Sequence, residues 1–540
     1  MRAALLVALA AALWSAPSAS AALEPPPPDR VTHDQVQRAE AIAVADEDPK
    51  VLEEEREHGP LAATASLNQD DGRWEVAYFS GGEELVLVYV GLDSGEATES
   101  WTGYQVAWKM ARGYSGAFGH KLNAPYVFIP LCLIFLLGLV DWRRLRRLAN
   151  LDLLVLLGFG VSHYFFNRAE IGVSVPLVYP VLLYLLGRSL WIGLRGRGEG
   201  VRPVWPVMWM IVAALFLMGF RVGLNIADAG AIDVGYAGVV GADKITHGEP
   251  IYDNFPDDIS SGDTYGPVNY LAYVPFELIW PSSGEWDDLP AAHGAAVVFD
   301  IAAFTFLILL GRRIRPGPEG DRLAATLAFG WAAYPYTAYA LESNSNDSLV
   351  AVLLLATLYF AAKPLARGAL LAMATWAKFV AAPLAPMYLT YRPGRRPALL
   401  FLIAFLVITV LALLWPTLNP GLHTFYDRTI ATQADRDSPF SIWGQTSLEP
   451  LRTALLVTLG ALSLAFAFVP KRKSLVQLTA LSAALLILLQ LTLHHWFYLY
   501  IVWFFPLLLI ALSGPLTSSK GVKCRREDEA AMDKGEATLA

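Results

Sequence analysis

The chain has 540 residues, 55% of them hydrophobic and only 17% charged, with a formal net charge of −8. Soluble globular chains carry about 25% charged residues, so the deficit argues against an ordinary soluble enzyme, and no nucleic-acid partner is expected. The two cysteines, Cys132 inside an apolar run and Cys524 near the C-terminus, build neither a disulfide framework nor a thiolate metal site.

In chain order, the first expected element is a signal peptide over residues 1–21. Arg2 supplies its positive start, Ala3–Trp14 its apolar stretch and Ala19-Ser20-Ala21 a small-x-small cleavage site. An uncleaved anchor helix is the alternative, and Pro25–Pro28 then form a stiff extended spacer. Either way, residues 29–123 are expected as a small extracytosolic α+β module. Val31–Glu57 is charged and helix-compatible, while Trp74–Phe79 and Leu85–Val90 read as strands joined by a hairpin turn at Ser80-Gly81-Gly82. The order from Trp74 through Asp93-Ser94-Gly95 to Trp101-Thr102-Gly103 resembles PepSY-type modules, and a plain adaptor domain fits the same residues. The Ala111–Gly119 stretch that follows acquires no chemistry.

Apolar runs near the 20 or so residues that a bilayer requires of a helix follow at 125–140, 150–166, 172–193, 204–223, 290–311, 322–340, 347–362, 398–416, 453–469, 474–492 and 495–513. The segment 367–391 is too long for one span. Lys378, Pro383 and Pro386 divide it into two short helices with Lys378 near the turn. Basic residues set the topology: Arg143, Arg144, Arg146 and Arg147, then Arg195, Arg197 and Arg202, then Arg312, Arg313 and Arg315, then Arg392, Arg395 and Arg396, then Lys471, Arg472 and Lys473 mark cytosolic loops. The expectation is a mainly α, polytopic cell-membrane protein of about thirteen spans with a cytosolic tail over 514–540. Tyr265–Trp280, apolar but carrying Pro267 and Pro275, reads as an interfacial or re-entrant piece of a long extracytosolic loop.

That loop, about 224–289, holds Asp228, Asp233, Asp243, Glu249, Asp253, Asp257, Asp258 and Asp263 against a single Lys244. Tyr236, Tyr252, Tyr265, Tyr270 and Tyr273 interleave with the acids. A carboxylate at the membrane surface can take a proton from a hydroxyl, and aromatic faces can cover a sugar. Asp233 lies about ten residues beyond a span, at that boundary. A charge run is also the ordinary face of a solvated loop.

The motifs Ile232-Asp233-Val-Gly-Tyr236, Gly248-Glu-Pro-Ile-Tyr252 and Thr264–Pro275 resemble, in order and spacing, the GT-C superfamily of membrane glycosyltransferases, closest to glycosyltransferase family 87 (the domain of unknown function 2029 group). The resemblance covers roughly 200–513. It continues through Asp300 inside a span, Asn346-Asp347, Trp376-Ala-Lys378-Phe, Arg436–Trp443 and His495–Tyr498. It implies a GT-C-like core, a polyprenyl monophosphate sugar as donor, inversion at the anomeric carbon and Asp233 as catalytic base. The acceptor is a lipid, glycan or protein of the cell envelope. Tyr252, Asp263 and Tyr265 complete the substrate site, with Asp263 the next candidate base. Lys378 and Arg436 suit the phosphate, one as a point charge and one as a fork, and His494 and His495 stand near the same rim.

Plainer readings accompany each residue. Lys378 can snorkel to the interface, Asp347 can N-cap its helix with Ser348, Arg436 can order its loop, and the histidine pair can belong to an interfacial aromatic belt. Asp300 needs a partner wherever it is buried. The cofactor question stands between none and a divalent cation, Mg²⁺ or Mn²⁺, on the acidic loop. The resemblance leaves the module and the three-span block 124–194 unexplained. Two rival functions remain: a lipid or solute transporter using Asp300 and Lys378, and a non-catalytic sensor or scaffold. Nucleotide-binding motifs are absent from the sequence, which disfavours a cytosolic nucleotide-sugar donor.

Overall fold

The computed structural model describes residues 30–68, 72–81, 83–103, 106, 120–196, 200–256, 259–432 and 438–514. The expected signal peptide, the Ala111–Gly119 stretch, Arg197, Asp257, Asp258, Arg436 and the tail from residue 515 lie outside them. The chain divides into two compact units, Met1–Lys109 and Met110–Ala540.

In the first unit, helices α1 (Arg30–Ala45) and α2 (Pro49–His58) precede an antiparallel sheet of order β1 (Ala62–Asn68), β2 (Arg73–Ser80), β3 (Glu83–Gly91) and β4 (Ala97–Thr102). Asp48 caps α2 by accepting from the Lys50 N–H at 2.9 Å, with Pro49 pre-set at the first position. Alternation decides which face is buried. Trp74, Val76 and Tyr78 of β2 stand opposite Val90, Val88 and Val86 of β3 and pack with Ala41, Ala45 and Val51 of the helices. Both expected strands are present. The outer two were not legible, because β1 reads Ala-Ala-Thr-Ala-Ser-Leu-Asn and becomes a strand by pairing along β2.

The second unit is helical: α3 (Pro125–Leu139), α4 (Leu148–Leu156), α5 (Phe159–Phe166), α6 (Ile171–Arg195), α7 (Val207–Asp228), α8 (Asp233–His247), α9 (Pro267–Glu277), α10 (Pro290–Ile314), α11 (Gly317–Ala333), α12 (Pro335–Glu342), α13 (Asp347–Tyr359), α14 (Pro364–Ala377), α15 (Ala385–Leu389), α16 (Arg395–Leu418), α17 (Leu422–Tyr426), α18 (Ile442–Gln445), α19 (Glu449–Phe468), α20 (Leu475–Gln490) and α21 (Ile501–Ser513). Among the described residues, 6 helical segments are long and apolar enough to cross a membrane, where the sequence suggested about thirteen spans. They are 148–166, α6, α7, α10, α16 and α19. Other apolar runs are shorter or broken. The run 322–340 splits at Tyr334 into α11 and α12, and 367–391 splits at Lys378 into α14, a 3₁₀ turn (Phe379–Leu384) and α15.

Burial separates bilayer-facing helices from central ones. On α16, Leu399, Leu402, Ile403, Leu406, Val407, Val410, Leu411 and Leu414 are exposed at three- and four-residue spacing, a continuous apolar stripe suited to lipid. By contrast α21 is buried from Ile501 to Ser513. On α7 the inward face reads Met210, Ala214, Leu217, Met218, Arg221 and Asn225, so two polar side chains enter the bundle.

The first of them, Arg221, helps repair a broken helix. Pro335 has no N–H, so the Trp331 carbonyl four residues earlier lacks its helical donor. Thr337 Oγ1 donates to it at 2.6 Å and Arg221 Nη1 at 3.0 Å. Arg221 Nη2 also lies 2.9 Å from Asp300 Oδ1, which accepts the Trp331 indole N–H at 2.8 Å. Asp300, fully buried, thus has the partner its position demanded.

The stretch Tyr265–Trp280 contains α9, whose 11 residues span only about 16 Å and do not cross a bilayer. Its last residue, Glu277, is 3% exposed and accepts the Ser282 N–H at 2.6 Å. Burial raises the carboxyl's pKa above its ordinary 4.5; the Ser282 N–H opposes this, Asp243 adds to it and His247 opposes it. The folded chain therefore holds this proton more tightly than the unfolded one. The group's stability contribution is greatest below its ordinary pKa and declines as pH rises toward the raised value. Glu277→Gln keeps an acceptor for Ser282 and removes that slope. Thermal melts are expected to place the variant a few degrees above the parent at pH 8 and level with it at pH 4.

Candidate functional site

Asp233 opens α8 after a four-residue link from the end of α7. Ile232 is extended and starts the helix, and Asp233 Oδ1 accepts the Val234 N–H at 2.9 Å. The helix start rests on the loop 343–347. Ile232 N–H donates to the Ser343 carbonyl at 3.2 Å, and a Cβ on Gly235 would lie 2.4 Å from the Asn344 carbonyl oxygen. Only glycine permits that approach.

Every residue of the loop, Ser343-Asn344-Ser345-Asn346-Asp347, is at most 1% exposed. Asn344 adopts φ +47°, a left-handed conformation that asparagine tolerates. Side chains from two helices hold it there. Asn225 of α7 donates to Asn344 Oδ1 and the Leu341 carbonyl, both at 2.8 Å. Asn344 Nδ2 meets His293 Nε2 at 3.1 Å, and His293 Nδ1 meets Asn225 Oδ1 at 3.0 Å. A neutral imidazole with its proton on Nδ1 satisfies this ring of bonds.

Beyond Asn344 the loop reaches Lys378. The ammonium donates to Asp347 Oδ1 at 2.5 Å and Asn346 Oδ1 at 2.9 Å, and the Trp503 indole N–H donates to the same Asp347 oxygen at 2.7 Å. The rings of Trp503, Tyr265 and Tyr500 surround the ammonium at 5.0, 5.3 and 5.5 Å from their centroids. Gly266 permits this enclosure, since a Cβ there would lie 2.0 Å from the Trp376 carbonyl oxygen. Lys378 therefore does not snorkel. Asp347 is the first helical residue rather than a cap, and its N-cap Asn346 makes no side-chain cap bond. Asp347 Oδ2, Asn346 Nδ2 and the Tyr273 hydroxyl are buried without hydrogen-bond partners. Burial pushes the Tyr273 phenol far above its ordinary pKa and the nearby Asp347 charge adds to this, so the hydroxyl stays a donor.

The other expected site residues support the cluster around Lys378 or point elsewhere. Tyr252 is 1% exposed and donates to the Tyr265 carbonyl at 3.0 Å, so it positions Tyr265. Asp263 clasps two loops: Arg428 reaches its oxygens from Nε at 2.7 Å and Nη2 at 2.8 Å, and the Asp253 N–H adds 2.7 Å. His495 Nδ1 meets Ser438 Oγ at 2.9 Å, while its ring lies 6.3 Å from Tyr500, which stacks 4.2 Å from Trp503. His494 turns the other way, with Nε2 3.5 Å from Glu449. Tyr500, Trp503 and Arg428 were not legible as site residues, and Tyr273 stood out only as one of the loop's aromatic residues. Trp503 left one signal, an indole N–H in an apolar run, which needs an acceptor when buried.

Among the described residues, several acids of the loop pair with basic side chains. Asp228 pairs with Lys121 at 2.9 Å, Asp243 with His247 at 3.1 Å, Glu249 with Lys244 at 3.4 Å and Asp263 with Arg428. Among the described residues, the one group with metal-ligand spacing is Glu54, Glu57 and His58 on α2, a largely exposed set of a kind common without an ion. No family model matches the chain, and neither does any curated protein or solved structure.

Proposed function

We propose that the chain is a membrane glycosyltransferase of about thirteen passes that works at the extracytosolic face. It moves a sugar from a polyprenyl-phosphate-linked donor to a lipid, glycan or protein acceptor. The supporting observation is the seating of the Asp233 helix start on the buried loop that pairs with Lys378. One loop thus links the Asp233 helix start to a caged cation and unpaired donors.

The chemistry needs few parts. Asp233 takes the proton of the acceptor hydroxyl as its oxygen attacks the anomeric carbon. The bond from that carbon to the phosphate oxygen breaks, the phosphate keeps the electron pair, and the configuration inverts. Lys378 Nζ, Asn346 Nδ2 and the Tyr273 hydroxyl are the donors to meet the departing phosphate. Asp347 and the three rings hold the ammonium in place.

The test is transfer by the full chain in liposomes offered a panel of polyprenyl-phosphate sugars, beside Asp233→Asn. Transfer that disappears in a folded variant supports both class and base. Undiminished transfer in the variant moves the base elsewhere. A folded parent that transfers nothing but carries lipid or solute across the bilayer replaces the enzyme with a transporter.

A further inference from the structure

A second polar concentration lies where α10 gives way to α11. A cleft of about 250 Å³ is lined there by Arg202, Arg315, Glu319, Arg322, Leu323 and Thr326. It is remote from Asp233. His293, near one end of α10, bonds to the loop beneath α8, whereas Arg315 follows the other end, and the 25 residues of α10 span about 37 Å.

Arg315 is the built part of the cleft. It is 6% exposed, and its Nη2 donates to the carbonyls of Ser513 at 2.9 Å and Gly514 at 3.2 Å, at the end of α21. These bonds leave the guanidinium unsaturated. Among the described residues, Nη1 has only Glu319 at 3.8 Å, and Nε is buried without a partner. Burial lowers the guanidinium's pKa, Glu319 opposes this and Arg202 adds to it. A charge pressed by burial and a like neighbour is short of an anion. Three arginines share the cleft with one carboxylate, and that carboxylate's side chain is 64% exposed and free to swing toward water. The helix α11 opens without a side-chain cap, with Glu319 in its first turn and Arg322 in the next. Trp205 and Trp209, 47% and 68% exposed, follow Arg202 at the start of α7, the level at which tryptophans meet lipid head groups.

We infer that this cleft binds a phosphate group, supplied by an anionic phospholipid head group in the leaflet at the arginine-rich end of the bundle. Guanidinium forks match phosphate oxygens, and basic pockets between membrane helices suit such head groups. The site does not depend on the proposed transfer reaction and is read without it.

The experiment compares binding of dioleoylphosphatidylglycerol and dioleoylphosphatidylcholine to the delipidated full chain by native mass spectrometry. Thermal stability in sodium phosphate is measured alongside. The variants are Arg202→Gln/Arg322→Gln, which leaves the Arg315 bonds to α21 intact, and Glu319→Gln. Lipid-free melting at the parent's temperature shows that each variant is folded. The expected result is a preference for phosphatidylglycerol of roughly tenfold, largely lost in the double variant and increased by Glu319→Gln. If inorganic phosphate stabilises the parent but not the double variant, without any lipid preference, the phosphate site stands and its source is the free anion. Equal binding of both lipids with no phosphate effect, or a preference that the double variant retains, overturns the inference.

Discussion

Replacing Asp233 by Asn is expected to lower kcat for sugar transfer by about 10²–10⁴-fold, the range that a positioned general base contributes. The substitution is nearly isosteric and keeps an oxygen for the Val234 N–H, so the start of α8 stays seated on the 343–347 loop. What disappears is the capacity to accept a proton. The donor KM is expected to change little, because the proposed phosphate donors lie on Lys378, Asn346 and Tyr273. Asp263→Asn is the informative contrast. It weakens the clasp to Arg428, so it is expected to loosen the loop and lower the melting temperature. Steady-state transfer and a melt on both variants separate chemistry from support. Wild-type turnover by a folded Asp233→Asn protein would falsify the assignment.

The second large effect is on stability. Arg221→Met is expected to destabilise the protein by about 3–5 kcal/mol, because it strands Asp300 as an uncompensated buried charge. It also removes one of the two donors that repair the Trp331 carbonyl at the Pro335 break. Arg221→Met/Asp300→Leu is expected to recover most of the loss, since a buried pair exchanged for apolar side chains of similar size is often nearly neutral. Recovery should stop short of complete, because the carbonyl keeps Thr337 alone. Melting temperatures of the two single variants and the double variant, measured in one detergent, give the coupling directly. Additive losses would mean that the two charges do not depend on each other.

Much of this architecture was legible in one dimension. Apolar runs located most helices of the second unit, and Lys378 with Pro383 and Pro386 marked a real break. Alternation found β2 and β3. What escaped was whatever depends on partners distant in sequence. Asp300 announced a need, yet Arg221, 79 positions earlier on another helix, carries no local sign of meeting it. Asp347 looked like a cap because Asn-Asp-Ser before an apolar run suits a helix start, but Lys378 and Trp503 draw its side chain away. Asp263 resembled its acidic neighbours until Arg428 arrived from the second loop. The span count is matched only in part, with 6 helices among the described residues long and apolar enough to cross. Short and broken helices reach their lengths through packing, which hydropathy along a line does not register.

The cage around Lys378 has a consequence for how an anionic ligand would arrive. With Asp347 only 2.5 Å away, the ammonium's field is largely cancelled beyond its immediate surroundings. The pair then behaves at a distance as a dipole and would exert little long-range pull on the proposed phosphate ligand. Under the proposed reaction, capture would rely on two-dimensional diffusion in the leaflet and on contact with the hydrogen-bond donors. Ionic strength, which slows electrostatically steered encounters, should therefore leave the rate of donor capture almost unchanged.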